Sequence, residues 1–518
     1  MAGLSNGEVS PTMPKYETDI VEAAPYNRGK PDPAFQSESS PLSEEHRQYL
    51  LERHGTLDLD PIPQMDDDDP LNWPMPKKIL NLGLVALHAM MGMFVAAAIC
   101  CAFVPIAEDL NVSVQRASYL LSLFIAILGA GPLVWKPLSQ TWGRRLVFLL
   151  SLACSLIGNV GCAVSPTFAT MALCRAITSF FICSPVSLGS GVVHELFFKK
   201  HRAQCMGVWA TMVTLGIPVA PLIFGPAVIR VGYRWIYWSL AMANGVQLIA
   251  HFLFGSETRY VAESKPTKPV SKIRSYFNFR RIDPTPLTWF DFVWPLTLVS
   301  RVCIGIPAAT HAMSFLWAVV FTQLEIPQLF PENFGLNAQQ VGLQNIPFLI
   351  GTILGEQIGG FMSDKWMYMA KKRGRAPDPE YRLWISYLGH LLVICGVVVF
   401  IVQIGRAGDE WNVTPIIGMG IAAAGNQIGT TVIITYAVDC HPEQAAGIGV
   451  FITFVRQIWG FTGPFWFPQM LESLGYYRST AVPVATILGI TVLPTILLQW
   501  KGSQWHGKPV RESFEDTA

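Results

Sequence analysis

Charged residues are scarce in this sequence. Asp, Glu, Lys and Arg make up 14% of the 518 residues, whereas soluble proteins carry about 25%. Hydrophobic residues make up 51%. A chain of this size with so little charge cannot cover a water-soluble globule with polar surface. The composition therefore argues against an ordinary soluble protein and indicates one that lies in a membrane.

The patterns of several common functional sites are also missing. The ten cysteines form no C-x-x-C pair, so neither a zinc site nor a disulfide framework is expected. There is no Walker A pattern for ATP, and His194 and Glu195 lack the second His of an H-E-x-x-H site. No basic, aromatic-rich patch suggests nucleic-acid binding. We expect no enzyme activity, metal, cofactor or nucleic-acid partner.

Long apolar runs dominate what is present. A membrane-spanning helix needs about 20 mostly apolar residues, and such runs occur on both sides of a charged stretch from Glu257 to Asp291. The predicted spans are 80–105, 117–138, 146–165, 169–193, 205–229, 235–254, 294–324, 341–363, 383–404, 413–437, 445–468 and 480–500. The predicted fold is an all-α membrane protein with twelve transmembrane helices.

Basic residues are distributed unevenly between the loops. They cluster before the first span, after the second, fourth and eighth, and in the central stretch. These residues are Lys77, Lys78, Arg144, Arg145, Lys199, Lys200, Arg202, Lys265, Lys268, Lys272, Arg274, Arg280, Arg281, Lys365, Lys371, Lys372, Arg373 and Arg375. Because basic loops stay on the inner side, both termini and the central loop are predicted to be cytoplasmic.

The opposite loops contain two N-x-[ST] triplets, at Asn111 and Asn412, which are possible N-glycosylation sites. Pro415 makes the second a poor acceptor. The triplets agree with the predicted orientation.

The spans divide the chain into five segments. These are a cytoplasmic, mostly disordered tail (1–78), a six-helix bundle (79–256), a cytoplasmic central loop (257–292), a second six-helix bundle (293–500) and a cytoplasmic tail (501–518). The first tail has no apolar core like that of a cleaved signal peptide. It ends in four aspartates, Asp66 to Asp69, which are expected to be solvated.

The two halves repeat short patterns in the same order. Ser139 and Gln140 after the second span correspond to Ser363 and Asp364 after the eighth, and Gly-Tyr patterns follow the fifth and eleventh. Glu195 and Asp439 follow the fourth and tenth spans. Such a repeat predicts two pseudo-symmetric bundles, a transporter architecture with the substrate site at the midplane.

The loop patterns resemble the major facilitator superfamily, whose loop after helix two reads G-x-L-a-D-r-x-G-r-r. The first copy here, 136–145, keeps Gly143, Arg144 and Arg145 but has Gln140 in place of the acid. The second copy keeps Gly360, Asp364 and Lys365. The resemblance implies latches that hold a gate. The first latch is expected to be weaker because Gln140 carries no charge.

Four further segments narrow the resemblance to a fungal drug:proton antiporter-like branch, related to polyamine and histidinol transporters and secondary-metabolite efflux pumps. They are residues 53–58, 69–74, 257–260 and 379–384. Antiporters of the superfamily also carry a Gly-Pro-rich pattern in helix five, which matches Gly216, Pro218, Pro221 and Gly225 here. Because the Gly-Pro order differs at the first site, export and uptake both stay open.

Ionisable residues inside spans are costly and usually face a cavity or a partner. Arg175 matches the family arginine of helix four that is linked to proton coupling, although it could form a structural ion pair. Glu356 could exchange a proton, because an apolar setting disfavours its charged form, could anchor a cationic substrate, or could make an interhelical hydrogen bond. His311 has an ordinary titration range that suits proton exchange, but a lone His is often a core residue.

Polar and aromatic side chains are predicted to line the central cavity. The candidates are Asn426, Gln427, Thr431, Thr435 and Tyr436 on the tenth span, and Arg301 and Trp317 on the seventh. Gln427, Thr431 and Thr435 share one helix face. Arg301 and Arg456 could bind an anionic substrate or pair with Glu356.

The favoured hypothesis is proton-coupled export of a small organic molecule, such as a secondary metabolite, toxin or drug, by alternating access. The expected setting is a monomer in the plasma membrane, with the vacuolar membrane as an alternative. The second hypothesis is proton-coupled uptake of polyamines or other small organic cations. A transporter-like receptor is the third, because the N-terminal tail is long.

Overall fold

A computed structural model describes residues 42–261, 281–283, 286–373, 378–408 and 410–505, apart from the side chains of residues 203, 371 and 443. Residues 1–41 and 506–518, which belong to the two predicted tails, therefore lie outside the described residues. The same holds for most of the basic residues of the predicted central loop, namely Lys265, Lys268, Lys272, Arg274 and Arg280, and for Arg375.

Twelve long helices form the body of the molecule, as the sequence predicts. They are α1 (Met75–Asp109), α2 (Val114–Trp142), α3 (Arg144–Val164), α4 (Phe168–Leu196), α5 (Lys199–Val231), α6 (Arg234–Phe254), α7 (Val302–Phe334), α8 (Ile346–Lys372), α9 (Pro379–Ala407), α10 (Thr414–Cys440), α11 (Ala445–Phe465) and α12 (Ala481–Trp505). Ten of these are long and apolar enough to cross a membrane, and α6 and α8 complete the set.

The helices pack as two bundles. In the first, α1 packs on α5, and α3 packs on α4 and α6. In the second, α8 and α9 pack on α10, and α7 packs on α11. The bundles meet along two seams, where α2 contacts α11 and α5 contacts both α8 and the short helix Ala338–Leu343. The twelve-helix prediction is thus confirmed.

The seventh helix differs most from its predicted bounds of 294–324. A separate linker helix, Trp289–Thr297, and a 3-10 turn, Leu298–Ser300, precede it. Arg301 then adopts an extended backbone that separates the turn from α7. At its other end α7 runs on to Phe334, past the predicted end at residue 324 and through Pro327 and Pro331. The extension places Glu325 inside the helix.

The stretch from residue 42 to residue 78, which belongs to the segment predicted as a mostly disordered tail, is folded. A tail helix, Glu44–His54, is capped by the Ser43 hydroxyl, which accepts a hydrogen bond from the His46 N–H. Arg53 donates to the Asn72 carbonyl at 3.0 Å and 3.2 Å. These contacts fix the tail helix to the segment that leads into α1.

Asp69 departs from the expectation of a solvated acidic run, whereas Asp67 and Asp68 are exposed. Its side chain is 5% exposed and accepts hydrogen bonds from the backbone N–H groups of Gln64 and Leu71. Burial raises the pKa of the Asp69 carboxyl, although these two hydrogen bonds act in the opposite direction. Asp69 thus acts as a structural cap for the 3-10 turn Pro70–Asn72.

Glycines allow α9 and α10 to approach closely. A Cβ added at Gly396 would lie 2.5 Å from the Gly418 carbonyl oxygen and 2.8 Å from Cα of Ala422. Gly389 faces Gly425 in the same way. Small residues drive helix association in membranes because they let backbones come into van der Waals contact.

Replacing Gly396 with Val should therefore force α9 and α10 apart. Overpacking of this kind typically costs about 1–3 kcal/mol, so the melting temperature of the purified protein should fall. Gly83→Val is the control, because a Cβ at Gly83 meets nothing within 4 Å. Equal melting temperatures for the two variants would contradict the packing account.

Candidate functional site

A cavity of about 2490 Å³ lies between the two bundles. Its mouth is at the end of the molecule formed by the α2–α3 and α8–α9 connections and the linker helix. Gln140, Glu195 and Tyr260 line one side of this mouth, and Asp364 and Arg382 line the other. In the predicted orientation this is the cytoplasmic end.

The other end of the cavity is closed by contacts between the bundles. Gln115 on α2 donates to the Pro464 carbonyl at 2.5 Å, and the Tyr119 and Phe465 rings lie 4.8 Å apart. The Gly-Pro-rich pattern of α5 adds a second contact, between Gly225 and the short helix Ala338–Leu343. A Cβ at Gly225 would lie 2.8 Å from the Ala338 carbonyl oxygen. This end therefore shuts the cavity off from the side where Asn111 and Asn412 lie.

The α5 pattern also packs within the first bundle. A Cβ at Gly216 would lie 2.6 Å from the Met90 carbonyl oxygen, so glycine permits close contact with α1. Pro218 and Pro221 lie within the helix between the two glycines. The pattern thus contributes both to the packing of one bundle and, through Gly225, to the closed end.

Glu356 is the carboxyl group in the middle of the cavity wall. Its Oε2 atom accepts a hydrogen bond of 2.9 Å from Nε2 of Gln427 on α10. Asn426 donates in turn to Oε1 of Gln427 at 3.2 Å. In the described residues Glu356 forms no ion pair, so its partner is a neutral amide.

His311 lies on the cavity wall contributed by α7. Its Nδ1 atom is 3.0 Å from Oγ1 of Thr430, within hydrogen-bond distance. Thr431 and Thr435 also line the cavity, and each hydroxyl donates to the carbonyl four residues earlier in α10. Arg301 lies on the cavity wall as well, with Nη1 3.2 Å from Nδ1 of His441.

Arg175 lies away from the cavity and is 1% exposed. Its guanidinium donates to the carbonyls of Val95 (3.3 Å), Ala96 (3.4 Å) and Leu120 (3.4 Å) and lies over the Phe124 ring. These contacts join α1, α2 and α4. The geometry fits a structural role for Arg175. The partners are backbone carbonyls and not the acid of an ion pair.

Two predicted cavity residues are buried elsewhere. Trp317 is fully buried, donates from Nε1 to Oγ1 of Thr486 at 2.9 Å and packs against Trp466. Tyr436 is also fully buried and packs with Leu383 and Leu498. Both predictions differ from the structure, because sequence spacing did not distinguish the face of a helix turned to its neighbours from the face turned to the cavity.

The first gate cluster, named for the gate that the loop pattern predicts, consists of Ser139 on α2, Arg144 on α3, Glu195 on α4 and Glu257 after α6. Arg144 pairs with Glu195 at 2.9 Å and donates to Oγ of Ser139 at 3.0 Å. The Glu257 carboxylate accepts from the backbone N–H groups of Arg144 at 2.8 Å and Arg145 at 3.0 Å. An acid therefore lies at the N-terminus of α3, a favourable place for negative charge.

Glu257 changes the expectation of a weaker first latch. Gln140 lacks the charge, but Glu257, which follows α6, supplies a carboxylate beside the same loop. Gly143 makes room for it, with φ of 91° and no Cβ to meet the carboxylate. Burial raises the pKa of Glu257 although its backbone N–H partners favour the ionised form.

The second gate cluster centres on Arg382, in the 3-10 segment Pro379–Leu383 with which α9 begins. Its guanidinium donates to Oγ of Ser363 at 2.6 Å and pairs with Asp364 at 3.4 Å and Asp439 at 3.3 Å. This arrangement parallels the first cluster, in which an arginine also joins a serine and an acid. Gly360 lines the cavity, and Lys365 lies over the Phe361 ring at 5.4 Å.

The two possible glycosylation sites lie in the connections at the closed end. Asn111 begins a turn with φ of 52°, and the Ser113 of its triplet caps α2 by accepting from the Arg116 N–H. The Asn412 side chain accepts from the Thr414 N–H at 2.6 Å.

Sequence reasoning assigned no site role to Glu325, Glu257 or Arg382, although the last two lie in the segments 257–260 and 379–384 that carry the resemblance. Glu325 is 1% exposed, and its carboxyl makes no hydrogen bond or ion pair in the part of the chain that the structure describes. The wrong end of the seventh predicted span hid it. The helical segment that contains it, Thr322–Phe334, packs against α1 and the short helix Ala338–Leu343, near the closed end.

Comparisons with known proteins agree with this architecture. The family model described as Major Facilitator Superfamily matches residues 83–464. An uncharacterized transporter, C1529.01, of Schizosaccharomyces pombe is 25% identical over 87% of this chain and 93% of its own length. The efflux pump radE of Floropilus chiversii is 26% identical over 84% of this chain and 82% of its own.

A solved structure has the same fold. It is a bacterial homologue of the human lysosomal transporter Spinster, in an inward-facing and unoccupied conformation. The match has a TM-score of 0.55 and 14% identity, and covers 84% of this chain and 98% of that one.

Removing the Glu257 carboxylate should destabilise the first gate cluster. Glu257→Ala leaves the N–H groups of Arg144 and Arg145 without their acceptor, and unsatisfied buried donors cost about 1–3 kcal/mol. Denaturation of the purified protein should show this loss. Glu472→Ala, which truncates an exposed glutamate, is the control, and an equally small effect in both variants would exclude the capping role.

Replacing Glu325 with Leu should raise the melting temperature. A buried polar group without a partner costs about 1–3 kcal/mol by mutational data, and leucine fills a similar volume without that cost. Glu332→Leu, on the same helix but at an exposed site, should have little effect. A lower melting temperature for Glu325→Leu would mean that the carboxyl has a stabilising partner.

Proposed function

Because the chain belongs to the major facilitator superfamily and is a multi-pass membrane transporter, we propose that it exports a small organic molecule in exchange for protons. The observation that carries the proposal is the cavity between the bundles, open at one end and closed at the other, with Glu356 and His311 on its wall. Resemblance to an efflux pump supports the direction of transport.

Transport would proceed by rocking of the two bundles about the cavity. Substrate enters through the open mouth and reaches the level of Glu356. The mouth then closes while the contacts between α2 and α11, and between Gly225 and Ala338, separate. Because these seams contain close backbone contacts and few ion pairs, they can part without leaving buried charges unpaired.

Glu356 is the proposed proton carrier. Its only hydrogen bond in the described residues is with the neutral amide of Gln427, which tolerates both the charged and the neutral carboxyl. A fixed salt bridge would instead hold the carboxylate ionised. Glu356 can therefore load a proton when the cavity faces one side and release it on the other, with His311 as a second exchangeable group.

We extend the proposal to the setting of the protein. In the predicted orientation the open mouth faces the cytoplasm, so the conformation is the one that collects substrate for export. The plasma membrane is the proposed location, with both termini cytoplasmic and the protein acting as a monomer. Uptake of polyamines gains no support, because the middle of the cavity wall offers Glu356 together with the cationic Arg456.

The test uses purified protein in sealed vesicles with an imposed pH step. A panel of aromatic metabolites and organic cations is added, and proton movement is followed with an internal pH dye. Glu356→Gln should abolish substrate-dependent proton movement because the amide cannot ionise. Glu472→Gln, a matched change at an exposed site, should behave as wild type.

Substrate flux without proton movement in the wild-type protein would contradict antiport. Proton coupling that survives in Glu356→Gln would instead move the coupling group to another residue.

A further inference from the structure

Arg456 on α11 is a cation of the cavity wall without an acid partner. It makes no hydrogen bond or ion pair in the described part of the chain, and its Nε atom is shielded and unsatisfied. Its guanidinium lies over the Phe315 ring, 4.8 Å from the ring centroid. Glu356 lines the same cavity but bonds to Gln427 instead.

Other basic residues of the cavity wall are already engaged. Arg382 pairs with two acids, Arg301 contacts His441, and Lys136 lies over the Trp294 ring at 4.9 Å. Arg456 lies deeper than these mouth residues, within a helix that spans the membrane. A charged side chain at such a depth is costly, which favours a site whose partner comes with the ligand.

The surroundings of Arg456 define the rest of the ligand. Phe315, Val319, Phe348 and Ile452 give the cavity wall apolar surface, while Asn426, Thr430 and Thr453 supply neutral polar groups. The guanidinium fork matches a carboxylate or a similar planar anion with two parallel hydrogen bonds. An amphipathic molecule with one anionic group and a flat apolar body fits this combination.

We propose that Arg456 and Phe315 form the binding site for the anionic group of an aromatic organic anion, the substrate class of this transporter. This inference rests on the proposed function for its transport meaning, but binding can be tested separately. Arg456 binds the carboxylate, Phe315 holds the guanidinium in place, and the apolar wall takes the ring system.

The experiment measures equilibrium binding by calorimetry to the full-length protein in nanodiscs. The probes are 2-naphthoate, 2-naphthamide and 2-naphthamidine, which share a shape and differ in charge. The wild-type protein should bind the anion at least about tenfold more tightly than the amide, since a hydrogen bond to a charged group contributes about 1.5–3 kcal/mol. The cation should bind most weakly.

Three variants separate a binding role from a structural one. Arg456→Met should remove the preference for the anion and leave amide binding unchanged, and Arg456→Lys should keep part of the preference because the charge remains without the fork. Arg478→Met, at an exposed site near the closed end, should match the wild type. Melting temperatures confirm that the variants are folded.

Two results would overturn the inference. One is wild-type protein with no preference for the anion over the amide, including a failure to bind either. The other is an equal loss of all probes in Arg456→Met, which would assign Arg456 a structural role. Anion binding that depends on Arg456, without proton movement in the vesicle assay, would keep this site and reject the antiport mechanism.

Discussion

The cost of placing polar and charged groups in hydrocarbon shapes this molecule. Backbone groups are satisfied within helices, and buried charged side chains mostly find partners on other helices. Arg175 illustrates the rule, because three backbone carbonyls and an aromatic ring surround its guanidinium. The exceptions then become informative: Glu356 has a neutral partner, and Arg456 and Glu325 have none in the residues described.

These three charged residues lie where the two bundles meet. Glu356 and Arg456 face the cavity, and the segment of Glu325 packs across the closed end. Charged pairs instead lie within one bundle, around Arg144 and between Arg234 and Asp109 in the first and around Arg382 in the second. The bundles are thus joined by seams that can part, which suits rigid-body rocking.

Much of the fold could be predicted because apolar runs of the required length are an unambiguous signal. The rarity of polar groups in spans also pointed to residues that line the cavity, namely Glu356, His311, Gln427, Thr431 and Thr435. The sequence did not show which way two side chains face or where the seventh helix ends. Trp317 and Tyr436 face neighbouring helices, and α7 continues past Glu325. A single sequence gives helix periodicity but not which neighbour each face meets, and proline and charge at a helix end look like a stop.

Long-range pairing was also hidden from the sequence. Glu257 lies 113 residues from the N–H of Arg144 that it accepts from, so its contribution to the first gate could not be read from the loop motif alone. At Gln140 the loop lacks the acid of the family pattern, and the Glu257 carboxylate from another segment lies beside the loop instead. The charged clusters at the mouth of the cavity are therefore assembled from separate segments of the chain.

Alternation of access is the central claim, and paired distance measurements test it most directly. Spin labels carried by unnatural amino acids would be placed at Trp142 and Tyr368 across the mouth, and at Asn111 and Val413 across the closed end. Pulsed electron resonance in nanodiscs then reports both distances with and without a transported substrate and a pH step. The account predicts that the first distance shortens as the second lengthens. Substrate flux with both distances unchanged, or changing in the same direction, would contradict it.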